Sequence, residues 1–241
     1  MSSPRAGTIL LAVVAAGFLA GLVAGLFHYV ATEPVIERAI VIETMAHPSE
    51  ADEAPLVSRE VQRAGLIVGW VLYGLCVGLI FGVAYVLARP RFDGVGTVRN
   101  VFLSALVAYW LVGLFPFLKY PANPPGIGDP ETIAYRQTLF LLFWVLSVGG
   151  LLAAGWAYHL LRPRLAGATP LLVALAAYLV YACVLYVAMP PNPDPVEMPG
   201  DLVTAFRVLS VVGLTLFWVV LGAVCGLFIR ALEMRPRRRL A

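Results

Sequence analysis

Six long apolar runs divide the chain, and shorter polar segments separate them. The runs cover residues 6–31, 65–88, 98–118, 135–161, 169–189 and 206–231. Each has about 20 residues or more, enough for a helix rising about 1.5 Å per residue to cross a hydrocarbon core of about 30 Å. A backbone at that depth must satisfy its own hydrogen bonds, which favours helices. We therefore predict an all-α, polytopic membrane protein whose six transmembrane helices form a bundle, with residues 1–241 as a single integral membrane domain.

The composition supports a lipid environment. Hydrophobic residues make up 61% of the chain and charged residues 13%, whereas about a quarter of the residues of a soluble domain are charged. One soluble core could not bury so much apolar sequence. The first run exceeds the apolar region of a signal peptide, which has about 7–15 residues, and no Ala-x-Ala site follows it. We predict that this run is retained as a helix.

The charges of the connecting segments predict an orientation. One set of ends and loops, which includes both termini, carries eleven basic and two acidic residues. The other set carries six basic and twelve acidic residues. Because basic segments stay in the cytoplasm, we predict that both termini are cytoplasmic. The outer loops then cover residues 32–64, 119–134 and 190–205.

The second and third outer loops resemble each other. Residues 121–125 read Pro-Ala-Asn-Pro-Pro, and residues 190–193 read Pro-Pro-Asn-Pro. A Gly-Asp pair and, later, an arginine follow each of these stretches. The likeness predicts repeated helical hairpins in the same orientation. The alternative is convergent loop chemistry, because proline, asparagine and glycine fill many turns.

Glycines recur at a spacing of four residues in three of the runs. They are Gly17, Gly21 and Gly25, then Gly74, Gly78 and Gly82, and finally Gly222 and Gly226. Such stripes let helix backbones approach closely. Packing within the bundle is the favoured interpretation, and a partner helix lying on one stripe is the alternative.

The first outer loop and the helix end before it carry the candidate metal ligands. These are His28, Glu33, Glu37, Glu43 and His47. On a helix, Glu33 and Glu37 share one face, and so do Glu43 and His47. Imidazole together with carboxylate suits cobalt, nickel or zinc. A solvated amphipathic segment that lies on the membrane is the alternative interpretation.

A second set of polar residues in the outer loops and adjacent helix starts is a candidate for shaping or gating a vestibule. The set is Lys119, Tyr120, Asn123, Asp129, Arg136, Asp201 and Arg207. Asp129 precedes a helix start and is predicted to cap it. We expect Arg136 and Arg207 to pair with Asp129 and Asp201 and so to close the loops over the bundle. Substrate gating is the alternative role, and the many prolines favour a stiff cover.

The apolar runs offer little chemistry of their own. They contain no aspartate or glutamate, so a divalent cation crossing alone finds no carboxylate at the middle of the bilayer. The chain has no phosphate-binding glycine loop, nucleophile elbow or His-Glu-x-x-His motif, and Cys76, Cys183 and Cys225 form no Cys-x-x-Cys pair. We predict that the protein is not an enzyme and holds no tightly bound cofactor.

The proline loop resembles the signature loop of the CbtA family of predicted cobalt transporter subunits. It reads Lys-Tyr-Pro-Ala-Asn-Pro-Pro at residues 119–125 and continues with Gly-Asp-Pro-Glu-Thr at 128–132. The later stretches Pro-Gly-Asp-Leu at 199–202 and Phe-Arg at 206–207 are also similar to the family. The resemblance spans the whole chain, and the proline loop is its specific part.

The opening of the chain resembles the same family. The first run ends Gly-Leu-Phe-His at residues 25–28 and continues to Glu37 in a way that is similar to the family's opening. Glu43 and His47 fall where the family carries an acidic, histidine-bearing loop. Some relatives have several histidines in this loop, whereas here His47 stands alone.

The resemblance implies cobalt uptake across the bacterial inner membrane, linked to cobalamin synthesis, with cobalt as the substrate. It also implies a small one-helix partner, CbtB, with a histidine-rich end. We expect the cation to be captured at the outer face and to pass between the helices. The alternative function is that of a structural or assembly subunit of a larger membrane complex, in which the glycine stripes are docking faces.

Overall fold

The computed structural model describes residues 5–46, 57–91 and 96–234, and these residues form six long helices with no strand among them. We name the helices α1 (Ala6–Ala46), α2 (Arg59–Ala88), α3 (Thr97–Lys119), α4 (Pro130–Leu161), α5 (Thr169–Ala188) and α6 (Gly200–Met234). All six are long and apolar enough to cross a membrane. The prediction of an all-α, multi-pass membrane protein with six spans is confirmed.

Four helices, α1, α2, α4 and α6, extend several residues beyond the apolar runs that predicted them. Helix α1 continues past residue 31 to Ala46, and α6 begins at Gly200 rather than at residue 206. Hydropathy marks only the apolar part of a helix, whereas the hydrogen-bond ladder propagates through polar residues at little cost once it has formed. The extension of α1 therefore puts the three glutamates of the candidate metal set on a helix.

Helices α1 and α3 each contain one wide turn. The π-helical turns cover His28–Thr32 in α1 and Trp110–Leu114 in α3. A proline follows each turn by two residues, at Pro34 and Pro116. Proline has no N–H to donate, so a carbonyl group one turn earlier loses its partner. The ladder is interrupted at the same place relative to proline in both helices.

The described helices group into two compact units. The first unit comprises Met1–Tyr109, Asn123–Gly126 and Met198–Ala241, and it contains α1, α2, the first part of α3 and α6. Within it, α1 and α2 touch through their backbones. A Cβ atom added at Gly17 would collide with the carbonyl group of Gly74, and one added at Gly74 would collide with that of Gly17.

The glycine stripe of α6 packs against the first part of α3. A Cβ atom added at Gly222 would lie 2.9 Å from Cβ of Ala105, and one added at Gly226 would lie 3.1 Å from Cα of Val98. All three stripes thus have helix neighbours inside the first unit. Their interpretation as packing residues is confirmed.

The second unit comprises Trp110–Ala122 and Ile127–Glu197, and it contains the end of α3 together with α4 and α5. Its core is formed by aromatic and aliphatic side chains: Phe115, Leu139, Phe143, Ala182, Leu185 and Met189. The single integral membrane domain at residues 1–241 stays a prediction.

Polar side chains of the second unit bond to backbone carbonyls of neighbouring helices. The Ser147 hydroxyl donates to the carbonyl of Leu111 at 2.9 Å, and the Tyr181 hydroxyl donates to that of Leu146 at 2.9 Å. Leu111 lies in the wide turn of α3, five residues before Pro116, which has no N–H to offer it. Ser147 therefore supplies a donor that the helix itself lacks.

Candidate cation site

Four charged side chains meet where α1 leaves its apolar part and α2 begins. Oε1 of Glu33 lies 2.5 Å from Nη2 of Arg59 and 2.9 Å from Nε of Arg63. Oε2 of Glu37 lies 2.9 Å from Nη2 of Arg59 and 3.0 Å from Nη2 of Arg63. Each arginine bridges both carboxylates. We name the set Glu33, Glu37, Arg59 and Arg63 the Glu–Arg cluster.

Helix geometry explains why these side chains meet. Glu33 and Glu37 are four residues apart on α1, and Arg59 and Arg63 are four residues apart on α2, so each pair lies on one helix face. Ser58 occupies the N-cap of α2, where its hydroxyl accepts a main-chain N–H. The cap fixes the start of α2 and places both arginines in its first two turns.

The charges cancel within the Glu–Arg cluster. Glu33 is buried, with 9% of its side chain exposed, whereas 45% of the Glu37 side chain is exposed. Glu37 lies beyond the apolar run, and hydrogen bonds from Arg59 and Arg63 hold its pKa below the usual value. The carboxylate oxygens that face α2 are each in contact with both guanidinium groups. A metal ion at this position competes with charge-assisted hydrogen bonds.

His28 has different partners from the two glutamates. It is buried, with 5% of its surface exposed. Its Nδ1 pairs with Oγ1 of Thr32 at 2.8 Å. Its ring stacks on Trp70, with 4.7 Å between the ring centres. The imidazole is thus held in one orientation from two sides.

The remaining metal candidates lie near the end of α1. The side chain of Glu43 lies beside Gly126, where an added Cβ atom would be 2.9 Å from Cδ of the glutamate. His47 lies outside the described residues. Within residues 5–46, 57–91 and 96–234, no three His, Cys, Asp or Glu side chains converge as a metal-binding group. The set of five ligands stays a prediction.

In the second unit, Arg136 joins the start of α4 to the segment after α5. Its Nε lies 2.9 Å from Oδ2 of Asp194, and its Nη2 donates to the carbonyl of Asp129 at 3.1 Å. The Thr132 hydroxyl donates to the same Asp194 carboxylate at 2.9 Å. Asp194 is buried, with 5% of its side chain exposed, so these contacts neutralise a buried charge.

The predicted pairing of Arg136 with the carboxylate of Asp129 is wrong. The carboxylate of Asp129 accepts the N–H of Glu131 at 2.8 Å and caps the short helical turn that begins α4, as its position predicted. Arg136 therefore reaches only the carbonyl of Asp129 and takes its carboxylate partner from Asp194.

The predicted pairing of Arg207 with Asp201 is also wrong. In the first unit, Nη2 of Arg207 donates to Oδ1 of Asn123 at 2.8 Å. Asp201 instead lies 3.5 Å from Arg38, and both of these side chains are exposed. Asp201 and Arg207 are six positions apart on α6, which puts them on different faces of the helix.

Lys119 and Tyr120 fasten the end of α3 within the second unit. Nζ of Lys119 donates to the carbonyl of Tyr186 at 2.8 Å, and the Tyr120 hydroxyl donates to the carbonyl of Pro190 at 2.7 Å. Nζ of Lys119 also lies 5.1 Å from the centre of the Tyr186 ring, within the range of a cation–π contact. These contacts give both residues a structural role, and their part in gating stays a prediction.

Comparison with known protein families identifies the chain. The family model described as "Probable cobalt transporter subunit (CbtA)" matches residues 6–230. The chain belongs to the CbtA family. No curated protein and no solved structure matches it. The resemblance carried by the proline loop is thereby confirmed.

Four charged residues that form ion pairs with the sequence candidates were not candidates themselves. They are Arg38, Arg59, Arg63 and Asp194. Arg59 and Arg63 did leave a signal, because their four-residue spacing matches that of the glutamates they bind. Asp194 left none, since nothing in a proline-rich loop indicates that an arginine on α4 will reach it.

Proposed function

We propose that this CbtA subunit takes part in cobalt uptake across the bacterial inner membrane, in support of cobalamin synthesis. The family match over residues 6–230 carries the proposal. Six helices that are long and apolar enough to cross a membrane support it. Cobalt is the substrate in this proposal, and the chain holds no resident cofactor.

The proposed orientation places both termini in the cytoplasm. It rests on the eleven basic and two acidic residues of the segments on that side. The extension of α1, the start of α2 and the proline loops then lie on the outer side, where the incoming cation arrives. The loop residues Lys119, Tyr120, Asn123, Asp129, Arg136, Asp201 and Arg207 shape the vestibule.

In this proposal the outer side chains collect the cation without holding it tightly. The ligands are His28, Glu33, Glu37, Glu43 and His47. Two arginines already neutralise Glu33 and Glu37. The binding free energy of a divalent cation is therefore only the difference between its attraction to the carboxylates and the attraction of the arginines that it displaces. Weak capture suits a transported ion, because the ion must leave the site again.

A partner chain completes the path in this proposal. The apolar runs contain no aspartate or glutamate, and a bare divalent cation is costly in hydrocarbon. The family description names a subunit. We propose a small one-helix, histidine-rich chain similar to CbtB as the partner that supplies further imidazole ligands.

Uptake of radioactive cobalt into proteoliposomes tests the transport proposal. The protein is reconstituted with and without the one-helix partner, and empty liposomes give the background. We expect uptake above background in the presence of the partner. Background uptake in both preparations, together with copurification in a large membrane complex, would overturn transport and favour a structural or assembly subunit.

Cobalt titration calorimetry tests the capture residues. Replacing Glu33, Glu37 and His47 with Ala removes three of the proposed ligands and should weaken cobalt binding. Glu60→Ala is the matched control, because this glutamate is exposed at the start of α2 and is outside the proposed set. Equal binding by the triple variant and the control would remove these residues from the mechanism.

A further inference from the structure

One imidazole of the first unit is buried, but only one of its two ring nitrogens has a hydrogen-bond partner among the described residues. Nδ1 of His28 pairs with Thr32 at 2.8 Å. Its Nε2 is buried and has no hydrogen-bond partner among the residues that the structure describes. Buried polar atoms are almost always paired, because leaving one unpaired costs free energy. An unpaired ring nitrogen in an apolar run therefore calls for a reason.

The free nitrogen faces a particular point on α6. A Cβ atom added at Gly213 would collide with Nε2 of His28, so only a residue without a side chain leaves room for the ring. On the other side the ring stacks on Trp70, with 13° between the ring planes. The histidine is the first residue of the wide turn His28–Thr32, and such turns are frequent at functional sites. The result is a fixed imidazole whose Nε2 points at a glycine backbone.

The chemistry of this nitrogen suits a transition metal ion. Neutral imidazole is a common ligand of cobalt and its neighbours. A bond from the other ring nitrogen to a second side chain fixes the ring in the way that outer partners of metal-bound histidines do. Thr32 has that position here. The carboxylates of the Glu–Arg cluster are taken by arginines, whereas Nε2 is not taken.

Among the capture ligands proposed above, we propose that Nε2 of His28 is the atom that binds the cobalt ion transiently as it leaves the outer side chains, and that the ion reaches it when α6 shifts at Gly213. The proposal rests on the transport function proposed above. A single imidazole holds an ion weakly, and no described group of three ligating side chains surrounds it, so this is a point of passage rather than a storage site. The apolar runs contain one other histidine, His159, which is exposed on α4.

Quenching of Trp70 fluorescence tests the proposal without measuring transport. The rings of His28 and Trp70 stack with 4.7 Å between their centres, so a cobalt ion bound to Nε2 is close to the indole. Co²⁺ quenches tryptophan emission at short range. The chain has five tryptophans, so the Trp70 share is defined by the difference between the wild-type protein and Trp70→Phe. CoCl₂ is titrated into the purified protein in lipid nanodiscs, with MgCl₂ as the control for ionic strength.

The histidine variants decide between the outcomes. We expect saturable quenching of the Trp70 share in the wild-type protein and in His159→Gln, and an apparent cobalt affinity about tenfold weaker or more in His28→Gln. Equal quenching in His28→Gln and the wild-type protein would overturn the proposal. Quenching that depends on His28 but occurs without any cobalt uptake supports the ligand and overturns the transport function, so the two failures are distinguishable.

A pair of glycine variants tests the proposal even if His28→Gln does not fold. Gly213→Ala adds a methyl group against Nε2, whereas Gly200→Ala, on the same helix, meets nothing within 4 Å. We expect Gly213→Ala to weaken cobalt quenching and Gly200→Ala to leave it unchanged, with circular dichroism confirming helicity in both. Identical quenching in the two variants would count against access at Gly213.

Discussion

The two units hold their helices together in different ways. In the first unit, α1 and α2 meet backbone to backbone, so that Gly17 and Gly74 leave no room for a Cβ atom. In the second unit, side chains fill the space between helices, and Ser147 and Tyr181 donate hydrogen bonds to carbonyls of their neighbours. Lipid offers no hydrophobic driving force for helix association, so close backbone packing and interhelical hydrogen bonds hold the helices together instead. The first arrangement has little freedom to adjust, whereas side chains can change rotamer.

The largest expected effect is at Gly74. We expect Gly74→Ala to lower the free energy of unfolding by about 2–3 kcal/mol, since the added methyl group meets a carbonyl of α1 that cannot move alone. Thermal unfolding in detergent, followed by circular dichroism, measures the change. Gly69→Ala is the control on the same helix, where nothing lies within 4 Å, and it should be neutral or slightly stabilising. A neutral Gly74→Ala would break the contrast between the units.

A smaller effect is expected at Ser147 in the second unit. Ser147→Ala removes the donor to the Leu111 carbonyl, and interhelical bonds of this kind contribute about 1 kcal/mol in membranes. The same unfolding measurement compares it with Thr138→Val, because Thr138 donates only to Ala134 on its own helix. If both variants lose the same stability, the bond between helices has no special role at the wide turn.

The smallest effect is expected at Gly150. A Cβ atom added there would collide with the ring of Tyr181, but a ring can turn aside while a backbone cannot. The lost Tyr181–Leu146 bond is partly offset by the helix propensity gained from alanine, so we expect a net change of about 0.5 kcal/mol. Gly149→Ala, with nothing within 4 Å, is the control. A cost as large as that of Gly74→Ala would show that the second unit is equally rigid.

The parts of the molecule that depend on local pattern were predictable from the sequence. Apolar runs predicted the six helices, four-residue spacing predicted the glycine contacts, and Asp129 was identified as a cap. Partner choice across long separations was not predictable. Arg136 binds Asp194 rather than the Asp129 carboxylate, because side-chain partners depend on how loops return to the helices and not on nearest spacing.

The candidate site also has a part that the sequence predicted and a part that it did not. The spacing of Glu33 and Glu37 correctly indicated a shared helix face. The matching spacing of Arg59 and Arg63 indicated a second charged face, but not that both arginines would bind both carboxylates. Hydropathy also missed the full length of α1, since the residues after 31 are polar enough to read as a loop.

The wide turn of α1 also sets the rotational phase of everything beyond it. One extra residue in a helical turn rotates the following segment by about 100° relative to an uninterrupted α-helix. Beyond His28–Thr32, the residues that turn inward are Glu33 and Ala39. Deleting one residue between His28 and Thr32 would remove that offset and swing both glutamates away from α2, although neither the glutamates nor their arginine partners had been altered. The wide turn before Pro34 thus decides which way the charged end of the helix faces.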